Sequence, residues 1–170
     1  MGAGTFGGNE HMDRRQKKEW RGVEKSLKLR PNEFLRDYCA CLDFRQPAGF
    51  ADGTFMLTNQ RIRWAVDQNR HIETIELRDV DGVAGLPKGR EGLVIESSRI
   101  GINVGGVEVN IKPERHVSLL RLNVSGVVAF ELLMAIESDV QATKPDFKAG
   151  DEQYMEQLVS WVQEQETRRR

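Results

Sequence analysis

The sequence predicts a mainly β fold with α-helical additions: a small β-barrel or sandwich of short antiparallel strands, capped by one helix towards the C-terminal end. Three observations carry this expectation. The stretch Asp52 to Val66, DGTFMLTNQRIRWAV, reads as two strands joined by a tight turn. Phe55 and Leu57 alternate with Thr54 and Met56, and Ile62, Trp64 and Val66 alternate with Arg61 and Arg63, so large apolar side chains line one face. Further short apolar runs follow at even spacing, the pattern of a small all-β domain. The period then changes at GVVAFELLMAIE, which is apolar on nearly every side and too short to cross a bilayer, so protein must bury it.

The whole chain sets bounds on function. At 170 residues it has room for one domain with extensions. A formal net charge of −1 argues against a protein that coats nucleic acid. Charged residues make up 30% of the chain and the mean hydropathy is −0.53, as in soluble proteins. No apolar run reaches the roughly 18 residues that span a bilayer. The N-terminus lacks the apolar region of a secretory signal. Cys39 and Cys41 are the two cysteines, too few for a disulfide framework. A cytoplasmic, reduced protein is expected.

The elements follow in order. Residues 1–12 form a flexible, Gly-rich N-terminus, and Phe6 stands where the myristoylation pattern after Gly2 wants Ser or Thr. Residues 13–30 form a basic amphipathic helix with Trp20, Val23 and Leu27 on one stripe and Arg21 and Lys25 among its basic positions. Pro31 ends it. The first strand runs from Asp37 to Phe44, with Tyr38, Ala40 and Leu42 on one face. Gln46 to Gly49 turns the chain into the central hairpin, and Asp67 to Arg70 turns it again into a strand from His71 to Leu77. Leu93–Ser97, Ile100–Val104, Val107–Ile111 and Val117–Val124 read as further strands, with Gly105-Gly106 a two-residue hairpin signal. Ser125 caps the apolar helix. Residues 139–150 form a linker, and 151–170 a C-terminal amphipathic helix with Tyr154, Leu158 and Trp161 on its apolar face and several glutamates elsewhere.

This order of elements resembles the pleckstrin-homology superfold, and more narrowly the bacterial PH-like and GRAM-related families. Those families carry a Gly-x-hydrophobic-x-Leu-Thr-Asn-x-Arg-hydrophobic phrase, matched here by Gly53, Phe55, Leu57, Thr58, Asn59, Arg61 and Ile62. A later phrase corresponds to Ile75-Glu76-Leu77-Arg78-Asp79-Val80. The resemblance covers residues 33–138 and implies a PH-like barrel or sandwich of about seven antiparallel strands capped by one helix. It also implies a binding platform rather than an enzyme. The lipid-binding members resemble one another in a Lys/Arg cluster in the first inter-strand loop; here that loop, residues 43–52, has one arginine and two aspartates.

Chemistry-bearing motifs are sparse. His71 opens a strand and His116 lies in a loop, and both read as surface residues. The Cys39-x-Cys41 pair lacks the second pair of a zinc site. No nucleophile elbow, Walker loop or dinucleotide fingerprint is present. Arg61 and Arg63 stand on the outer face of their strand, where the neighbouring Thr54 or Met56, or acidic groups across the sheet, would partner them. No metal, cofactor or catalytic residue is expected. The leading expectation is a non-enzymatic interaction module that binds a protein partner or itself through its surface and terminal helices. Its candidate residues are Trp20, Arg21, Val23, Lys25 and Leu27 on the basic helix, and Tyr154, Leu158 and Trp161 on the last. An anionic membrane surface is the second candidate partner, through the basic helix. A small ligand inside the barrel is the third.

Overall fold

Local capping fixes where the helices begin. Asp13 accepts the Gln16 backbone N–H at 2.8 Å while the Gln16 side chain accepts the Asp13 N–H at 3.0 Å, a reciprocal box that starts α1 (Arg14–Leu27). The computed structural model describes residues 13–43, 51–66, 71–87 and 90–169; the expected flexible N-terminus and the turns at 46–49 and 67–70 lie outside these. The strands are β1 (Leu35–Asp43), β2 (Ala51–Thr58), β3 (Arg61–Val66), β4 (His71–Glu76), β5 (Val80–Gly85), β6 (Gly92–Ser97), β7 (Ile100–Val104), β8 (Val107–Ile111) and β9 (His116–Leu122). A 3-10 turn, Leu77–Asp79, separates β4 from β5. Ser125 caps α2 (Gly126–Gln141), and the Tyr154 N–H donates to Asp151 at the start of α3 (Glu152–Arg169).

The nine described strands form one antiparallel sheet in the order β5-β6-β9-β1-β2-β3-β4-β7-β8. This corrects the expectation of about seven strands forming a PH-like barrel or sandwich. The runs read singly along the sequence lie where strands form; the count of seven came from matching them to the superfold. Closure fails because the end strands β5 and β8 do not pair with each other.

The sheet is nonetheless rolled, and two short links require it. β4 and β5 lie six positions apart in the strand order. Flat, that is about 29 Å at the usual strand spacing, whereas the three-residue turn between them reaches at most about 14 Å. The step from β6 to β7 crosses an equal gap through Ser98 and Arg99 alone. The Ser98 N–H donates to the Asp79 carbonyl at 3.2 Å, tying the two links together.

Inside the roll, alternate residues of every strand but β8 share one core: Phe55, Leu57, Ile62, Trp64, Ile75, Val83, Leu93, Ile95, Ile100 and Leu120 among them. α2 covers it with Leu132, Leu133, Ile136 and Val140. The helix continues past Glu137 because Asp139 and Val140 are themselves buried, Asp139 against Arg36 of β1 at 2.7 Å. β1 turns Cys39 and Cys41 to the core; Tyr38 and Ala40, expected to line one face, lie on the outer side.

The outer face carries the other two helices. α1 lies over β1 to β4, packing Trp20 and Leu27 on Leu35, Met56 and Ala65. α3 lies over β5, β6 and β9, packing Met155, Leu158 and Val162 on Ala84, Val94 and Val117.

Candidate functional site

The apolar residues expected to meet a partner are covered by the chain's own sheet. Trp20 and Leu27 are buried and Val23 half-buried, and the Trp20 ring meets Tyr38 edge-on at 5.8 Å. Leu158 is buried, with Tyr154 and Trp161 half-buried beside it. The two helices belong to separate clusters, so their opposite charges are not used to pack one on the other. Arg21 and Lys25 remain exposed, and Arg14, Lys17, Lys18 and Arg21 line a shallow basic groove.

A chain of polar contacts fastens α3. The Tyr154 hydroxyl donates to one Glu96 oxygen at 2.6 Å, and Arg115 Nε donates to the other at 2.6 Å. The Arg115 guanidinium lies over the Trp161 ring, 5.1 Å from its centroid. Burial first, then the bond to the Glu96 carboxylate, pushes the Tyr154 phenol well above its ordinary range.

The residues that carry the family resemblance are occupied in holding the segment between α1 and β1. Asn59 accepts the Phe34 N–H at 2.8 Å and donates to the Asn32 carbonyl at 2.9 Å. Glu33 accepts the Thr58 hydroxyl at 2.6 Å and two guanidinium N–H groups of Arg61, at 2.8 and 3.1 Å. Arg61 and Arg63 both donate to the Leu27 carbonyl, at 2.9 and 3.2 Å, satisfying an orphan acceptor at the end of α1. The acid that pairs with Arg61 therefore comes from the α1–β1 connection. Burial alone would raise the Glu33 pKa; the bonds from Thr58, the Arg30 backbone and Arg61 outweigh it and hold it below the ordinary carboxylate value.

The two histidines read as surface residues require correction. His71 and His116 are half-buried on the concave face, with His71 Nε2 at 3.1 Å from one Glu73 oxygen and His116 Nε2 at 3.9 Å from the other. His116 also contacts the Ser118 hydroxyl at 3.1 Å. His116 starts β9 rather than lying in a loop. Rolling the sheet joins β4 to β9 here, although four positions separate them in the strand order. The sequence signal was His-x-Glu and His-x-Ser at alternate, inward positions, which becomes visible only once the faces are known. Among the described residues no group of three His, Cys, Asp or Glu is placed to hold a metal ion. Cys39 and Cys41 are buried and form no disulfide, and burial, then the neighbouring Cys41, pushes the Cys39 thiol far up.

Among the described residues an apolar row is left open on the β7–β8 hairpin; Phe34 before β1 and Val127 and Phe130 on α2 are exposed singly or as a pair. Val104 is 56% exposed, Val107 66%, Val109 52% and Ile111 38%. Val104 pairs with Val107, Ile102 with Val109 and Ile100 with Ile111, so this exposed row continues the concave face outward from buried Ile100. β8 is exposed along its whole length and is the last strand of the sheet.

No protein-family model matches the chain, and no curated protein matches it. The hSac2 domain of human phosphoinositide phosphatase Sac2 is similar in structure, with a TM-score of 0.50 and 11% identity, over 84% of this chain and 88% of that one. What is shared is the fold. A C-terminal domain of an unknown protein from Leishmania infantum aligns with a TM-score of 0.45 and 14% identity, over 71% of this chain and 96% of that one. In this sheet-rich fold no described helix is long and apolar enough to cross a membrane.

Proposed function

We propose that the chain is a non-enzymatic protein-binding module whose working surface is the β7–β8 hairpin and its open edge. The observation that carries this reading is the row Val104, Val107, Val109 and Ile111, exposed on a hairpin whose outer strand, β8, has one unpaired edge. An apolar open edge is a template for another strand, and soluble proteins otherwise blunt such edges. Lys112 and Pro113 stand just beyond β8, outside the strand they would otherwise protect. The Gly53 to Ile62 phrase supports a relation to the PH-like and GRAM-related families, which are binding platforms. Its polar members act here as scaffold, which favours a binding surface elsewhere on the domain. Capture from a cell extract on immobilised protein tests the reading. Partners held by the wild type and lost from Val107→Lys support it; identical capture by both sinks it.

A second reading rests on the basic outer face of α1, where Arg14, Lys18, Arg21 and Lys25 are exposed away from the docked stripe and half-buried Lys17 flanks them. Near an anionic leaflet each contributes up to about 1 kcal/mol. With Trp20 committed to the sheet, this contact is electrostatic and without insertion. It requires salt-sensitive co-sedimentation with anionic vesicles that a Lys17→Glu/Lys18→Glu/Arg21→Glu variant loses, and equal sedimentation of both proteins removes it.

A further inference from the structure

We propose that the free edge of β8 pairs with β8 of a second copy of the chain, antiparallel and centred on Val109. The proposal rests on the hairpin being the binding surface and names its occupant. Three features of the strand select this partner and this register.

The first is which amides face outward. Gly105 and Gly106 both have positive φ, +61° and +86°, the two-residue turn that matches the twist of antiparallel strands. In such a hairpin the flanking pair, Val104 and Val107, exchanges backbone hydrogen bonds, and alternate pairs do so thereafter. Val107, Val109 and Ile111 thus commit their amides to β7. Glu108 and Asn110 present theirs at the open edge.

The second is the symmetry of the residues VEVNI about their centre. A two-fold axis through Val109 sets Val107 opposite the partner's Ile111 and Glu108 opposite the partner's Asn110. Apolar side chains then meet on one face and an acid meets an amide on the other. The outward amides of Glu108 and Asn110 exchange about four backbone hydrogen bonds across the axis, and the two Val109 residues form the close, non-hydrogen-bonded pair.

The third is that the neighbouring registers are worse. Centring on Glu108 sets two carboxylates directly opposite, which is destabilising. Centring on Asn110 carries the pairing past the end of β8 at Ile111, so that its outer hydrogen-bonded pairs fall on Lys112, outside the strand. Odd shifts place valines against polar residues and turn the apolar row to the wrong face. The same symmetry makes the contact isologous, so it closes as a dimer instead of growing into fibres.

Introduced thiols read the register directly, because native Cys39 and Cys41 are buried. The Cα atoms of a non-hydrogen-bonded pair are about 4.5 Å apart, within disulfide reach. Mild oxidation of full-length Val109→Cys is expected to give a covalent dimer in high yield. Val107→Cys alone should give none, because the two copies of that residue sit about 14 Å apart. The double variant Val107→Cys/Ile111→Cys should crosslink again. Wild-type protein should sediment as a dimer, and Val109→Lys, at an exposed position, should still unfold in one cooperative transition, with the concentration dependence of the melting temperature lost, and sediment as a monomer. A wild type that stays monomeric, a Val109→Cys protein that does not crosslink, or a dimer that survives Val109→Lys overturns the pairing. If the wild type is monomeric but Val107→Lys still loses its extract partners, the pairing fails while the binding-module reading stands. If neither mass nor capture responds to these variants, both fail.

Discussion

The hydroxyl of Tyr154 sets how α3 meets the sheet, because glycines at 82 and 150 leave room for its ring. A Cβ on Gly82 would stand 1.7 Å from that oxygen, and one on Gly150 would stand 2.0 Å from the ring. Gly82→Ala should cost about 1–3 kcal/mol by overpacking. Tyr154→Phe should cost about 1.5–3 kcal/mol through the lost bond to a carboxylate. Urea unfolding of both singles and the double should show costs that do not add, since the phenylalanine removes the atom that clashes most. Glu33 makes a different demand. Removing its charge by Glu33→Gln leaves Arg61 buried without its counter-ion, a loss of about 3–5 kcal/mol. Because the folded pKa of Glu33 lies below its unfolded value, its stabilisation is present above the unfolded pKa and is lost as pH falls through the folded pKa. Asp139 has the opposite sign. Burial raises its pKa against the pull of Arg36, so its contribution is present in acid and is lost as pH rises through the folded pKa. Urea midpoints measured from neutral to acid pH should fall for the wild type and flatten for Glu33→Gln.

The central hairpin at the level of elements was legible because Phe55, Leu57, Ile62 and Trp64 alternate without a break, and all four are fully buried. Both terminal helices were legible from their apolar stripes, but their destination was not. A stripe such as Trp20, Val23 and Leu27 says that something covers it; only the outward Leu35, Met56 and Ala65 of the folded sheet say what. Trp20→Ala should therefore cost about 3–5 kcal/mol of global stability, read by chemical unfolding, rather than affinity for a partner. Deleting residues 1–30 would expose that sheet face and remove the Leu27 carbonyl from Arg61 and Arg63. Charge reversal on α1 is for this reason the cleaner probe of membrane contact. Alternation placed Tyr38 and Ala40 on one face of β1 without saying which face is inner; the core takes the other, with Cys39 and Cys41.

At the scale of the whole molecule the sheet is one roll with a seam, and strand order is what the sequence concealed. Local alternation marks strands; it carries nothing about which strands are neighbours, and β4 pairs with β7 rather than with β5, its successor along the chain. The His71, Glu73 and His116 cluster was missed for the same reason, since its members come together only across the roll. Burial of both native thiols should make the folded protein inert to a thiol reagent, with two equivalents reacting on unfolding; prompt reaction in the native state would contradict the face assigned to β1. The position of β9 has a further consequence, for synthesis. β9 lies between β6 and β1, pairing Leu93 with Leu120 on one side and Cys41 with Leu122 on the other. A growing chain emerges N-terminal end first at about 5–20 residues per second. Until residues 116–122 appear, it can hold two half-sheets, β5 with β6 and β1 to β4 with β7 and β8, each with an inner edge awaiting the same strand. The last strand to be made is the keystone of the roll, and a nascent chain stopped before His116 carries both of those edges open to any neighbouring polypeptide.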